Sequence, residues 1–120
     1  MKKILIVDDE PNIVMTLEYT FKKSNYEVFI ARDGQEALDI LKTNFPDVII
    51  LDIMMPMVDG FATLEQIRKD ANLQHTKVMF LSAKNKESDI EKGLALGADA
   101  YMTKPFSIKK VVDKVEELLG

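Results

Sequence analysis

The feature that most constrains the fold is a regular alternation between short apolar runs and longer stretches with helical periodicity. The apolar runs occupy residues 4–7, 28–31, 48–51, 78–81 and 100–102. The first, third and fourth runs are continuous and rich in β-branched residues, which is typical of parallel strands covered on both faces. The alternation therefore predicts five strands, each followed by a helix.

The stretches between the runs carry apolar residues three or four positions apart, as expected of helices with one buried face. Pro11 suits a first helical turn, Asp33 followed by Glu36 predicts a capped second helix, and Ser107 predicts the cap of the last helix. The fourth helix, roughly residues 86–96, is the weakest because Gly93 lies inside it, and we expect it to be the most mobile. The apolar stripes are Ile13, Val14, Leu17 and Phe21; Ala37, Leu38, Leu41 and Phe45; Phe61, Leu64 and Ile67; Ile90 and Leu94; and Ile108, Val111, Val112, Val115 and Leu119.

Five βα units in 120 residues predict an α/β fold formed by one domain, residues 1–120. Right-handed crossovers place helices on both faces of an open, doubly wound parallel sheet, which gives a three-layer sandwich. No internal repeat or interdomain linker is visible. A chain of this length can bury a substantial core without disulfides.

Composition excludes several classes of function. The chain has no cysteine and a single histidine, His75, so thiolate metal sites and multi-histidine sites are excluded. A net charge of -4 argues against direct binding of nucleic acid or of anionic membranes. The apolar runs are far too short to span a bilayer and no signal peptide is visible, so we expect a cytoplasmic protein.

In open parallel sheets the site lies at the carboxyl ends of the strands. The residues that leave the strand ends are Asp8, Asp9, Arg32, Asp33, Asp52, Ser82, Thr103 and Lys104. Asp8, Asp9 and Asp52 would repel one another unless a cation lies among them, and their hard oxygens favour Mg²⁺. A single strand-end aspartate would more often cap the following helix; a consecutive pair with a third nearby favours a metal site.

Ser82 and Lys104 add a hydroxyl and a cation to the same edge of the sheet. Each alone would be interpreted as a cap or as solvated surface, but beside carboxylates and Mg²⁺ they indicate a site that handles phosphoryl groups. Pro105 fits a tight turn that directs Lys104 inward, and the Lys104–Pro105 bond in this turn is either trans or cis. The five glycines match neither GxxxxGK[ST] nor GxGxxG, so no nucleotide cradle is predicted.

Four segments carry a resemblance to a known family. They are residues 4–10 (ILIVDDE), 52–60 (DIMMPMVDG), 81–84 (LSAK) and 97–106 (GADAYMTKPF). In this order and spacing they resemble the receiver domain of bacterial two-component response regulators, and the resemblance extends over essentially all 120 residues. It implies a flavodoxin-like, chemotaxis-type sheet with strand order 2-1-3-4-5.

The resemblance also implies residue roles. Asp52 would accept the phosphoryl group; Asp9 would bind Mg²⁺ directly, Asp8 mainly through water, and the backbone carbonyl of Met54 would be a further ligand. Ser82 and Lys104 would contact the phosphoryl oxygens. Tyr101 would be the switch aromatic that turns inward when Ser82 shifts.

The implied function is a Mg²⁺-dependent switch phosphorylated by a histidine kinase or a histidine phosphotransfer protein. Such a protein catalyses only its own phosphorylation and dephosphorylation. The alternatives are a Mg²⁺-dependent phosphohydrolase that uses Asp52 and an unphosphorylated receiver-like binding module. The hydrolase would need a positioned base and a substrate-binding cap, and neither is visible in the sequence.

The face formed by the fourth helix, fifth strand and fifth helix is expected to contact an unknown output partner or effector domain. Lys109, Lys110 and Lys114 predict a basic strip there, which is equally consistent with a solvated face. Many receivers joined to winged-helix DNA-binding domains have an acidic residue at the position of Lys110, an aspartate at that of Ala100 and an arginine at that of Lys114. A dimer held together by those charges is therefore not expected. A monomer and another phosphorylation-dependent dimer both remain open. The chain ends directly after the last helix, as a stand-alone regulator or an excised receiver would.

Overall fold

The five predicted strands form one parallel sheet. The computed structural model describes residues 1–120, and the strands are β1 (Lys3–Val7), β2 (Glu27–Ala31), β3 (Val48–Leu51), β4 (Lys77–Ser82) and β5 (Ala100–Thr103). They pair in the order β2-β1-β3-β4-β5, and every pair is parallel. The predicted α/β fold and strand order are confirmed.

Helices connect the strands and cover both faces of the sheet. They are α1 (Pro11–Lys23), α2 (Gly34–Ile40), α3 (Gly60–Lys69), α4 (Glu87–Ala95) and α5 (Ile108–Leu119), with a short 3₁₀ turn at Ala71–Leu73. The caps at Asp33 and Ser107 form as predicted, since their side chains accept hydrogen bonds from the Glu36 and Lys110 amides. None of the helices has the length and apolar character needed to traverse a bilayer.

The period of two along each strand divides the core into two layers. In β1, Leu5 and Val7 pack in the cluster that contains the apolar residues of α2 and α3. Ile4 and Ile6, from the same strand, pack with Leu17 of α1 and Val111 of α5. Because β3 and β4 alternate in the same way, the continuous apolar runs are explained by burial on both faces.

Two members of the predicted apolar stripes are exposed to solvent. Phe45 is 48% exposed, because α2 ends at Ile40 and the chain has left the helix before Phe45 is reached. Leu94 is 46% exposed and lies on the outer side of α4. The buried residue of that helix is Gly93, where an added Cβ would lie 3.0 Å from the Phe80 ring and 3.1 Å from the Tyr101 ring. The glycine therefore allows α4 to approach the sheet closely.

The basic strip predicted on α5 is mostly neutralised. The ammonium of Lys109 lies 2.7 Å from the Asp113 carboxylate, and that of Lys114 lies 3.2 Å from the Glu117 carboxylate. Only Lys110 of the three lysines lacks an acidic partner. Acidic residues one turn along the same helix pair with two of the three lysines, which favours the alternative of a solvated face over a basic strip.

Arg68, near the end of α3, joins three segments at the edge of the sheet opposite the aspartates. Its guanidinium donates hydrogen bonds to the carbonyls of Gly97 and Thr76, both at 2.9 Å, and to the Asp99 carboxylate at 3.0 Å. The same carboxylate accepts a hydrogen bond from the Val78 amide. These bonds tie the turn between α4 and β5 to α3 and to the start of β4.

Candidate functional site

Three carboxylates meet at the carboxyl end of the central strands. One oxygen from each of Asp8, Asp9 and Asp52 lies within 4.8 Å of the others. The three meet because β1 and β3 are adjacent, with Val7 paired to Leu51, and each strand is followed directly by an aspartate. Asp8 and Asp52 are buried and Asp9 is exposed. The cluster predicted from the sequence is therefore formed.

Backbone amides fix the two buried carboxylates in place. Asp8 Oδ1 accepts a hydrogen bond from the Glu10 amide at 2.9 Å, and Asp52 Oδ1 accepts one from the Ile53 amide at 2.8 Å. The loop after Asp52 returns to it at Gly60, where a Cβ would lie 2.3 Å from the Asp52 carbonyl oxygen. Only glycine permits this close approach, so the start of α3 is held directly against Asp52.

Lys104 reaches this cluster from the end of β5. Its ammonium lies 2.9 Å from Asp8 Oδ2, 3.0 Å from Glu10 Oε1 and 3.6 Å from Asp52 Oδ2. The Lys104–Pro105 peptide bond is cis, one of the two forms predicted for this turn. Sequence reasoning placed Lys104 correctly but missed Glu10. The only available signal was the position of this third acid directly after the Asp8–Asp9 pair.

The ionisation of these groups reflects burial and mutual charge. Burial raises the pKa of Asp8 above its ordinary value, against hydrogen bonds from the Glu10 amide and from Lys104. Burial and the charge of Asp8 raise the pKa of Asp52. For Lys104, burial lowers the pKa, but hydrogen bonds to Asp8 and Glu10 and the nearby negative charges outweigh it, so the pKa rises and the side chain stays charged.

Ser82 and Tyr101 are joined through the backbone of Lys84. Ser82 is fully buried, and its hydroxyl oxygen accepts a hydrogen bond from the Lys84 amide at 3.2 Å. The Tyr101 hydroxyl donates to the Lys84 carbonyl at 2.7 Å, and its ring packs on Phe80 with centroids 5.7 Å apart. The two predicted switch residues are thus linked by one intervening residue. No pattern in the sequence indicates Lys84 as the connecting residue.

Comparison with known proteins decides the family. The family model described as the response regulator receiver domain matches residues 4–116. The chain belongs to the response regulator receiver family.

Among curated proteins, the chain is 46% identical over 118 residues to the alkaline phosphatase synthesis transcriptional regulatory protein PhoP of Bacillus subtilis strain 168. The alignment covers 98% of this chain and 48% of that protein, so the chain spans about half the length of this relative.

Solved receiver structures show the same fold. The receiver domain of the Francisella response regulator 1452 is 37% identical, with a TM-score of 0.91 over 99% of this chain and 97% of that chain. The chemotaxis response regulator CheY4 of Vibrio cholerae is 31% identical, with a TM-score of 0.93 over 99% of both chains.

The acidic cluster of this receiver fits a divalent cation. Its donors are carboxylate oxygens, which suit Mg²⁺, and neither sulfur nor imidazole lies among them. The Met54 carbonyl, two residues after Asp52, accepts no hydrogen bond from the protein. A nearby cation would stabilise the ionised forms of two buried carboxylates whose pKa values are raised. Receiver domains typically use Mg²⁺ at such a cluster of aspartates.

Removing one of these carboxylates should stabilise the metal-free receiver. We expect Asp52→Asn and Asp9→Ala each to raise the free energy of unfolding by on the order of 1 kcal/mol in chelator-treated buffer, because repulsion within the cluster is relieved. The gain should shrink as Mg²⁺ stabilises the wild type. Thermal melts with and without Mg²⁺ measure both effects, and a wild type whose melting is insensitive to Mg²⁺ would count against the cluster as a cation site.

The effect of Asp52→Asn also has a defined pH dependence. Since the pKa of Asp52 is raised in the folded state, the folded protein retains this proton at pH values where the unfolded chain has lost it. The stability of the wild type therefore falls as pH rises from the ordinary value of 3.8 through the raised pKa. The advantage of Asp52→Asn should be present at neutral pH and should diminish as the buffer is acidified.

Proposed function

We propose that this receiver is a phosphorylation switch that accepts a phosphoryl group on Asp52 from a histidine kinase or a histidine phosphotransfer protein. The observation that supports it most directly is the convergence of Asp52, a second buried carboxylate and the Lys104 ammonium within hydrogen-bonding or ion-pair distance. Asp52 would supply the nucleophile, Lys104 would offset the negative charge of the phosphoryl donor, and the second carboxylate would help to hold a cation. On this proposal the protein catalyses only its own phosphorylation and dephosphorylation.

In the proposed reaction a carboxylate oxygen of Asp52 attacks the phosphorus of the donor. A new oxygen–phosphorus bond forms an acyl phosphate, while the bond between phosphorus and the donor nitrogen or oxygen breaks and its electron pair leaves with the donor group. The hydrogen bond from the Ile53 amide to Oδ1 fixes the carboxylate, which leaves Oδ2 on the side of Lys104. Lys104 then supplies positive charge to the phosphoryl oxygens.

Asp8, Asp9 and Asp52 would hold Mg²⁺, with the Met54 carbonyl as a further ligand. When bound, the ion supplies positive charge that offsets repulsion between three carboxylates and an anionic phosphoryl donor. The protein contributes the fixed positions of the carboxylates, which come from the ends of β1 and β3.

The route from the phosphoryl group to the protein surface would run through Ser82. The Ser82 hydroxyl can donate a hydrogen bond to a phosphoryl oxygen. A shift of Ser82 would then move the loop at Lys84, whose carbonyl accepts a hydrogen bond from Tyr101. Because α4 packs on Tyr101 through Gly93, a change at Lys84 would reach α4 and β5. The face formed by α4, β5 and α5 is the surface that an output partner or effector domain would contact.

The test is incubation with acetyl phosphate, with Mg²⁺ or with a chelator, followed by intact-mass analysis. The proposal expects one added phosphoryl group that depends on metal. Multiple-turnover hydrolysis of an added phosphomonoester would instead favour a phosphohydrolase. Absence of labelling under all conditions would leave a binding module that functions without phosphorylation.

Activation should change the output face beyond the site itself. We expect the amide NMR shifts of the beryllofluoride-activated protein to differ from those of the resting protein mainly in residues 82–106, since these include Ser82, α4 and β5. The shifts of α2 serve as an internal control, because α2 packs on β2, at the edge of the sheet opposite β5. Changes confined to the loops that contain Asp8, Asp9 and Asp52 would contradict the proposed output face.

A further inference from the structure

Glu10 makes a contact that neither the cap of α1 nor the acidic cluster explains. It occupies the N-cap position of α1, yet its side chain accepts no capping hydrogen bond. Its carboxylate instead lies 3.0 Å from the Lys104 ammonium, although 58% of the Glu10 side chain is exposed. An exposed acid held on a nearly buried lysine 94 residues away is a specific tertiary contact.

This contact competes with the proposed task of Lys104. A lysine ammonium has three N–H donors. Asp8 and Glu10 each accept one of them at 2.9 and 3.0 Å, while Asp52 Oδ2 lies at 3.6 Å, beyond an ordinary hydrogen bond. In this state Lys104 is directed toward Asp8 and Glu10, and a phosphoryl group on Asp52 would have to draw it away from one of them.

Glu10 also differs from the other acids in how its charge is offset. Asp8, Asp9 and Asp52 form the cluster that would share a cation, and Glu10 does not belong to it. If Lys104 turns toward a phosphoryl group, Glu10 is left as an unpaired negative charge beside an incoming anion. At separations of a few ångströms this repulsion lowers the rate of anion approach appreciably.

The surroundings of Glu10 allow the contact to open. Glu10 and Lys104 line an open cavity of about 500 Å³, together with Ile13, Ala83, Pro105 and Phe106. The Glu10 carboxylate can therefore leave Lys104 for solvent without displacing a packed side chain.

We propose that Glu10 is a positioning residue that restrains Lys104 in the resting state and so limits how fast Asp52 is phosphorylated. The inference rests on the proposed function, because it assigns Glu10 a part in that reaction. The Glu10 carboxylate acts through Lys104, and only the backbone amide of Glu10 contacts the acidic cluster, at Asp8.

The test compares Glu10→Gln with wild type and with Glu65→Gln. The control removes the same charge from an exposed position on α3 that forms no ion pair. With Mg²⁺ and subsaturating acetyl phosphate, Glu10→Gln should be phosphorylated about threefold to tenfold faster than wild type, the range expected for one partly screened charge. Glu65→Gln should match wild type.

A second measurement does not depend on phosphorylation. The NMR signals of the Lys104 side chain, recorded without metal or phosphate donor, should shift in Glu10→Gln and not in Glu65→Gln. Unchanged Lys104 signals, or equal or slower labelling of Glu10→Gln, would overturn the proposed restraint alone. If no protein is labelled, wild type included, the proposed function fails and this part of it fails with it.

Discussion

Asp52→Asn is expected to abolish acyl-phosphate formation and to leave the fold intact. An amide is a far weaker nucleophile than a carboxylate, so intact-mass analysis with acetyl phosphate and Mg²⁺ should show loss of the added phosphoryl group by at least about a hundredfold. The fold should persist because the asparagine oxygen can still accept the hydrogen bond from the Ile53 amide, and because the variant relieves repulsion with Asp8.

Asp33→Asn is the matched control for this variant. It makes the same chemical change at the same edge of the sheet, where its side chain caps α2 and asparagine can serve equally well. Full labelling is expected for Asp33→Asn. Labelling of Asp52→Asn at the wild-type level would show that another acid, with Asp8 and Asp9 the nearest candidates, accepts the phosphoryl group.

Lys104→Met should produce the largest loss of stability of any single change at the site. No other cation lies within ion-pair distance of Asp8 or Asp52, and the Lys104 side chain is only 10% exposed. Removing the ammonium leaves buried carboxylates without compensation, which costs about 3 kcal/mol in the metal-free protein. Urea unfolding measures this loss, and Mg²⁺ should restore part of it because the ion supplies positive charge to the same acids.

Two further variants make the Lys104 result interpretable. Lys110→Met removes an exposed lysine that has no acidic partner on α5, and its stability should stay within about 0.5 kcal/mol of wild type. The double variant Lys104→Met with Asp52→Asn should be more stable than Lys104→Met alone, since one of the uncompensated charges is gone. Equal stability of Lys104→Met and wild type without metal would contradict the charge balance described for the site.

The fold was predictable because its signals are local. Residues 48–51 are apolar at every position, which reports burial on both faces, and β3 occupies these residues in the structure. The site followed from the same information, since a parallel sheet brings the residues after each strand to one edge. Asp8, Asp52 and Lys104 were therefore identifiable before any distance was known.

The residues that were missed depend on contacts between distant segments. Glu10 meets Lys104 only because β1 and β5 end at the same edge, and nothing in the residues around Glu10 predicts which acid a lysine 94 positions away will contact. Gly93 was interpreted as a weakness of α4, because its effect on helix propensity is local, whereas its packing against Phe80 and Tyr101 is not. Phe45 followed the helical period, but α2 ends before that residue.

The hydrogen bonds of Arg68 determine how α4 could move. The turn after α4 is anchored at Gly97 and Asp99, whereas the first residue of α4 follows Lys86, whose side chain makes no capping hydrogen bond. Arg68 thus anchors the chain just after the C-terminal end of the helix, whereas the chain before its N-terminal end is joined to Ser82 and Tyr101 through Lys84. A rearrangement that starts at Ser82 would tilt α4 about its anchored C-terminal end, so that displacements increase from Ala95 toward Glu87.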